Sequence, residues 1–143
     1  YYYGQSRFDI FNILTNRFGF ESLIYPGDFS YQSGYKSGEM FFKKSRTPDC
    51  IMTASDQSAF GVLDYCRERK ISIPCDVGLI GYDDLGSAEE SFPPLTTIHN
   101  PFDEIGAAAV DRLLRVIDDK PFENLCPEPA LSLATYLVER STT

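Results

Sequence analysis

Two adjacent carboxylates, Asp83 and Asp84, end the apolar run of GLIGYDDLG. An ionised carboxylate accepts hydrogen bonds from neighbouring hydroxyls or ring N–H groups, and two carboxylates can together hold Mg²⁺. Adjacent residues of a strand point to opposite faces, however, so only one of the two is expected to face a common site. The run therefore predicts a single carboxylate for a polar ligand better than it predicts a paired-acid metal site.

Polar or aromatic residues also follow the other apolar segments of the chain. Phe29 comes four residues after the apolar run that ends at Tyr25, and Ser55 and Asp56 directly follow a second run. Arg7 opens the first helix, and it would join them if a strand precedes this helix. A guanidinium fork, a ring face, a hydroxyl and carboxylates together suit a small polyhydroxylated or heterocyclic molecule.

Each of these residues also has a purely structural interpretation. Asp56 can be only a helix N-cap, and Asp84 can be a solvated loop residue. Phe29 can close the top of the core, and Arg7 can be a surface residue at a helix start. These alternatives stay open on spacing alone.

The elements that would position these residues alternate along the chain. Periodicity, caps and breakers predict helices over about 6–18, 31–44, 57–70 and 102–117 and strands over about 22–25, 50–54, 77–82, 95–98 and 134–138, with a long irregular loop over 84–94. Such alternation predicts an α/β fold, an open parallel sheet with helices on both faces. Ligands bind at the carboxyl ends of the strands in such sheets, where the polar residues fall.

The helix predicted over 102–117 has an unusually broad apolar face. Phe102, Ile105, Ala109, Leu113 and Val116 form one stripe along it, and further apolar residues widen that stripe. A face of this width needs a partner surface.

Composition excludes several classes of function. The 143 residues carry a net charge of −8, so direct contact of this segment with nucleic acid is not expected. Neither a membrane span nor a signal peptide is visible. The four cysteines form no Cys-x-x-Cys motif, which argues against zinc or a redox pair and suits a reducing cytoplasm.

Catalysis is not expected either. The single histidine, His99, would have to serve any Ser-His-Asp arrangement, and it falls beyond the long loop, away from the predicted strand-end crevice. The chain has no glycine-rich phosphate loop. We therefore predict no catalytic residue, no metal site and no cofactor.

The motifs SDQ-x-A-x-G, IP-x-DV-x-L-I-GYDD and PPLTTI occur in this order, and GDFSYQSGY precedes them. In this combination the chain resembles the effector-binding core of the lactose repressor and purine repressor family, and the resemblance covers nearly its whole length. It implies a periplasmic-binding-protein-like fold of type I, present as a partial domain, in which two subdomains clamp a small effector. A separate N-terminal helix-turn-helix would read the operator.

The resemblance also implies which residues contact the effector. The family's effector contacts fall on Arg7, Phe29, Ser55 and Asp83; Tyr3 lies in a loop where members carry assorted contacts, and Asp56 matches a helix-capping Asp. Family members bind sugars, sugar phosphates or nucleobases, so a sugar-like or purine-like effector is expected.

The same resemblance divides the chain into three parts. Residues 1–97 would belong to the C-terminal effector-binding subdomain without its first strand and helix, 98–119 would cross to the N-terminal subdomain, and 120–143 would return to the C-terminal one. We expect a non-enzymatic, cytoplasmic and homodimeric repressor in which the effector alters operator affinity allosterically, with no membrane partner. A periplasmic sugar-binding protein of a transport system is the alternative, and a Mg²⁺-dependent phosphoryl-transfer enzyme is a distant third.

Overall fold

A computed structural model of the chain describes residues 2–43, 47–118 and 130–143, with side chains from residue 6 to residue 117 within those ranges and over 130–143. The helices are α1 (Tyr2–Phe18), α2 (Tyr31–Phe42), α3 (Asp56–Arg69), α4 (Gly86–Glu90) and α5 (Phe102–Asp118). The strands are β1 (Cys50–Met52), β2 (Gly78–Asp83), β3 (Thr96–His99) and β4 (Tyr136–Val138).

The four strands form one sheet in the order β1-β2-β3-β4. The first three strands are parallel, as the alternation of elements predicts, whereas β4 pairs with β3 in the antiparallel sense. A purely parallel sheet is therefore the wrong expectation for the last strand. Tyr136 lies beside His99, so β4 begins at the carboxyl end of β3 and can only run back along it.

The helices α2 and α3 pack backbone against backbone. A Cβ on Gly34 would overlap the Ser58 carbonyl, and a Cβ on Gly61 would overlap the Tyr31 carbonyl. Both glycines are therefore required by the close approach of the two helices. The ring of Tyr65 adds an edge contact to this interface at 5.4 Å from the ring of Tyr35.

The hydrophobic core lies between α3 and the sheet. Its fully buried members include Val62, Val77, Leu79 and Leu95, none more than 1% exposed. Three of these four belong to β2 or to the segments that lead into β2 and β3, so the core fixes the strands whose ends carry Asp83 and His99.

The last described residues close the sheet at the amino ends of β2 and β3. The backbone N–H of Leu79 donates to the Thr142 carbonyl at 2.8 Å, and the Thr142 hydroxyl donates to the Leu79 carbonyl at 2.7 Å. The same hydroxyl accepts from the backbone N–H of Thr96 at 2.8 Å, and Thr142 is fully buried. One threonine thus satisfies backbone groups on two neighbouring strands.

Three predicted segments differ from the structure. The helix predicted over 6–18 begins at Tyr2, so Arg7 lies in its second turn and not at its start, and Tyr3 lies within the helix and not in a loop. Residues 22–25 form no strand, because β1 pairs with β2 alone and no ladder forms along its other side in the described residues. The loop predicted as irregular over 84–94 contains the short helix α4, whose Ala88 is fully buried. An apolar run shows a preference for strand, but the strand itself needs a hydrogen-bonding partner.

The apolar face of α5 is exposed. Six of its seven large apolar side chains are between 44% and 58% exposed: Phe102, Ile105, Val110, Leu113, Leu114 and Ile117. No helix among the described residues combines the length and the apolar character needed to cross a bilayer. The partner surface predicted for α5 is therefore not supplied by the described part of this chain.

Candidate functional site

The start of α3 is joined to the turn that carries Phe29. Ser55 is the N-cap of α3, and its hydroxyl accepts from the backbone N–H of Ser58 at 3.2 Å, which satisfies one of the free donors of the first turn. The same hydroxyl donates to the Phe29 carbonyl at 2.8 Å. Ser55 is only 6% exposed, so its hydroxyl is engaged within the protein.

The aromatic ring of Phe29 stays accessible. The residue has a φ of 68°, a left-handed conformation that is uncommon outside glycine, and its side chain is 46% exposed. Asp28 supports the turn, since its carboxylate accepts from the Ser30 hydroxyl at 2.6 Å. The ring is thus presented at the surface beside the start of α3, where it can cover a flat apolar ligand face.

The guanidinium of Arg7 lies between two rings. Its Cζ is 4.2 Å from the ring centroid of Tyr82 and 5.9 Å from that of Phe29. Its Nη1 donates to the Ala54 carbonyl at 3.1 Å, which fixes the group at the end of the β1 segment. The face-on ring contact and the carbonyl orient the planar fork and leave other N–H donors for a ligand.

Asp83 is the last residue of β2, and its carboxyl lies in the field of Arg7. Burial and the charge of Asp56 raise the pKa of the Asp83 carboxyl, while Arg7 and the backbone N–H of Asp56 act in the opposite direction. Its φ is 121°, so the backbone leaves strand geometry at this residue. The result is a partly buried acceptor beside a guanidinium and two rings.

Asp84 has different partners from those of Asp83. Its carboxylate accepts from Arg140 Nη2 at 2.8 Å and from His99 Nδ1 at 2.9 Å. Although burial acts to raise it, these hydrogen bonds lower the pKa of Asp84. The two adjacent acids are therefore directed to different groups, as expected, although the cause is the positive-φ turn at Asp83 and Asp84 and not the alternation of a strand. Asp84 is not a solvated loop residue.

Asp56 is the first residue of α3 and is fully buried. Its Oδ1 accepts from the Thr97 hydroxyl at 2.5 Å and its Oδ2 from the backbone N–H of Leu85 at 2.8 Å. Burial raises the pKa of its carboxyl, and these hydrogen bonds act against that effect. The helix is capped by Ser55, so Asp56 serves to join α3 to the ends of β2 and β3.

The structure brings three of the predicted site residues together, namely Arg7, Phe29 and Asp83. Ser55 supports the site indirectly, because its hydroxyl donates to the carbonyl of Phe29. The side chain of Tyr3 lies outside the described residues. The expectation for His99 is wrong in its position, because the parallel register pairs it with Asp83 at the same sheet edge. It is a partner of Asp84 and stacks on Tyr136 at 4.6 Å.

The sequence did not identify Tyr82 as more than a supporting group of the site, and it did not identify Arg140 at all. Tyr82 directly precedes Asp83, and an aromatic residue beside a strand-end acid is the signal that could have identified it. No local signal identifies Arg140, which reaches Asp84 over 56 positions.

The described residues contain no group of three or more His, Cys, Asp or Glu side chains arranged to hold a metal ion. The site offers instead a fixed guanidinium, a carboxylate and exposed ring surface. These groups can bind a neutral molecule that donates to a carboxylate, accepts from an arginine and has one apolar face.

Comparisons with known proteins agree with this description. The family model described as a periplasmic binding protein-like domain matches residues 17–143. The ribose operon repressor of Escherichia coli (strain K12) is 33% identical over 116 residues, covering 81% of this chain and 34% of that protein. The transcriptional repressor PurR of Glaesserella parasuis serovar 5 is 34% identical over 122 residues, covering 83% of this chain and 36% of that protein.

A solved structure shows the same fold. The lac repressor dimer bound to operator and the anti-inducer ONPF superposes with a TM-score of 0.77 at 28% identity, covering 90% of this chain and 44% of that one. The chain thus spans about a third of the length of the curated relatives that it matches.

Proposed function

The chain belongs to the lactose repressor and purine repressor family, and on that premise we propose that it forms the effector-binding core of a ligand-responsive transcriptional repressor. The proposed function is non-enzymatic: a small molecule binds at the carboxyl end of β2 and alters the affinity of the repressor for its operator. DNA contact would belong to a part of the protein outside this chain.

One observation carries the proposal most directly. Arg7 is held by Tyr82 and the Ala54 carbonyl beside the partly buried carboxyl of Asp83, at the carboxyl end of a parallel strand. Parallel α/β sheets bind ligands at this edge. The proposed ligand is sugar-like or purine-like, since either supplies donors for Asp83, acceptors for Arg7 and a face for Phe29.

The exposed apolar face of α5 is evidence for a second subdomain that covers it. Its apolar side chains, such as Leu113 and Ile117, are more than half exposed. Burying such a face contributes roughly 25 cal/mol per Å² of apolar area, so a covering surface is strongly favoured. We place the N-terminal subdomain there, with 98–119 crossing to it and 120–143 returning, so that the effector is held between the two subdomains.

Coupling to DNA would follow from differential binding. An effector that contacts both subdomains binds their closed arrangement more tightly than the open one, and it shifts the population by that difference in affinity. We also propose that the protein is a homodimer, as the matched lac repressor structure is a dimer. We propose a cytoplasmic location because that structure is bound to operator DNA, and a repressor acts where its operator lies.

Calorimetry on the full-length protein tests the proposal. Ribose, sucrose and hypoxanthine would be titrated into wild type, Asp83→Asn and the control Asp103→Asn, which changes an exposed acid in the first turn of α5. We expect one ligand class to bind and Asp83→Asn to weaken it by roughly tenfold or more, since hydrogen bonds to charged groups are worth about 1.5–3 kcal/mol. The control should bind like wild type.

Unchanged affinity in Asp83→Asn would contradict the assignment of the site. A secretion signal in place of a helix-turn-helix at the start of the full-length protein would favour the alternative, a periplasmic sugar-binding protein.

A further inference from the structure

The carboxylate of Asp84 is held by residues from two other strands or their ends. Arg140, two residues after β4, donates to Oδ1, and Nδ1 of His99, the last residue of β3, donates to Oδ2, since an ionised carboxylate can only accept. The Asp84 and Arg140 side chains are only 15% and 17% exposed. Both oxygens of Asp84 are thus occupied in a site with little access to water.

Arg140 is itself fixed where it contacts Asp84. Its Nη1 donates to the Leu95 carbonyl at 2.9 Å, and its backbone N–H donates to the Thr96 hydroxyl at 2.9 Å. His99 is held by stacking on Tyr136. The partners of Asp84 are therefore attached to the sheet, and they can hold Asp84 in one place.

The backbone between Asp83 and Asp84 has an unusual conformation. The φ angles are 121° and 56°, so two consecutive residues other than glycine adopt positive values. Such residues keep this conformation only where the surroundings determine it. Further contacts hold the same turn: the Leu85 N–H donates to Asp56 at 2.8 Å and the Asn100 N–H to the Asp83 carbonyl at 3.4 Å.

We propose that Arg140 and His99 are positioning residues for the effector site and that they act through Asp84. By holding the Asp84 carboxylate they stabilise the positive-φ turn, and this turn directs the Asp83 carboxyl to the start of α3 and to Arg7. The inference rests on the proposed function in one respect only, namely that Asp83 contacts the effector.

A partly buried ion pair can instead serve stability alone. Removing one partner would then lower the unfolding temperature and leave Asp83 where it is. The two roles differ in what happens at Asp83, so the test has to observe that residue directly.

The test uses full-length protein labelled with ¹³C at the aspartate carboxyl carbon. Wild type, Arg140→Gln and Arg140→Lys would be compared with Lys43→Gln, which removes one charge from an exposed ion pair at the end of α2. The Asp83 resonance is assigned from its absence in Asp83→Asn, its titration midpoint is measured by NMR, and affinity for ribose, sucrose and hypoxanthine is measured by calorimetry.

We expect Arg140→Gln to displace the titration midpoint of Asp83 and to weaken ligand binding about tenfold, since a site that must be reordered on binding loses affinity. Arg140→Lys restores the charge and should recover most of both properties. Lys43→Gln should change neither.

An Arg140→Gln protein that melts earlier but keeps the wild-type Asp83 titration and affinity would overturn the inference. If Arg140→Gln does not fold, Asp84→Asn decides, because it removes the charge that Arg140 and His99 hold: an Asp83 titration and a ligand affinity equal to those of wild type would overturn the inference. Failure of wild type to bind any probe would overturn the proposed function, and the NMR titration would still decide whether Arg140 positions Asp83.

Discussion

The hydroxyl of Thr97 donates a hydrogen bond of 2.5 Å to Oδ1 of Asp56, a carboxylate that is fully buried at the start of α3. The other oxygen of Asp56 accepts from the Leu85 N–H. One acid therefore connects a helix start, a strand and the turn after Asp83. The charge is tolerated in the core because both oxygens are hydrogen-bonded.

Replacing this acid should be costly to stability. Asp56→Ala leaves the Thr97 hydroxyl and the Leu85 N–H without their acceptor, and we expect a loss of about 2–4 kcal/mol in the free energy of unfolding. Urea denaturation measures it. Glu89→Ala, which changes an exposed acid in α4, is the control and should stay within about 0.5 kcal/mol of wild type. Equal stability of the two variants would contradict this role for Asp56.

The same substitution, Gly to Ala, should have opposite effects at the contact between α2 and α3 and on the open surface of α5. Gly61→Ala would force a methyl group into the Tyr31 carbonyl and should destabilise the protein by about 3 kcal/mol or separate the helices. Gly106→Ala on α5 meets no atom within 4 Å and should stabilise by up to about 1 kcal/mol through helix propensity. Thermal unfolding distinguishes them, and a neutral Gly61→Ala would contradict the observed packing.

The ring of Tyr82 should matter to ligand binding through Arg7. Tyr82→Phe keeps the ring 4.2 Å from the guanidinium carbon and should bind the ligand like wild type. Tyr82→Leu removes the cation–π contact, worth about 0.5–2 kcal/mol, and should weaken binding roughly 2- to 30-fold. Calorimetry on both variants provides the comparison. Equal loss in Tyr82→Phe would indicate that the hydroxyl, rather than the ring, is important.

Acid should remove the contribution of Asp84 to stability. The pKa of Asp84 is lowered from its ordinary value of 3.8, so its stabilisation is complete above that value and is lost as the pH falls through the folded-state pKa. The difference in unfolding free energy between wild type and Asp84→Asn should therefore shrink as the pH falls towards and below 3.8.

The comparison with Asp84→Asn is necessary because other acids act in the opposite sense. The pKa values of Asp56 and Asp83 are raised, so their ionisation in the folded protein opposes stability as the pH rises. Both acids are present in both proteins, so the difference reports the effect of Asp84 itself, which includes the part by which its charge raises the pKa of Asp56. A difference that does not depend on pH would show that the charge of Asp84 is not what stabilises the turn.

The face of α5 should respond to substitution only when it is covered. Leu113 is 58% exposed in this chain, so Leu113→Glu should change the stability of the isolated segment by less than about 0.5 kcal/mol. In the full-length protein the same change should cost about 2 kcal/mol or more, because a charge would be buried against the N-terminal subdomain. Glu104→Gln is the control in both contexts, and equal effects of Leu113→Glu in both would argue against a covering subdomain.

The sequence was most informative where local signals agree. The helix predicted over 57–70 is α3, because Ser55 caps it and its apolar residues recur at helical spacing. The strand predicted over 77–82 is β2, shifted by one residue. The alternation of these elements was sufficient to predict the sheet edge at which Asp83 lies.

Sequence reasoning failed where structure depends on distant partners. Residues 22–25 have strand composition but no ladder partner among the described residues, and the stacking of Arg7 on Tyr82 arises only when α1 meets β2. Asp84 finds its partners 15 and 56 positions away. No local pattern encodes contacts of this kind, because they depend on how complete elements pack.

The position of Thr142 has a consequence for the order of events during synthesis. Its hydroxyl and carbonyl satisfy backbone groups of Leu79 and Thr96, which belong to the central strands of the sheet. Until Thr142 has left the ribosome, the backbone groups of Leu79 and Thr96 at the amino ends of β2 and β3 lack this hydrogen-bonding partner. A nascent chain paused earlier would therefore hold an incomplete sheet, and the effector site at its opposite edge would form only after translation has passed residue 142.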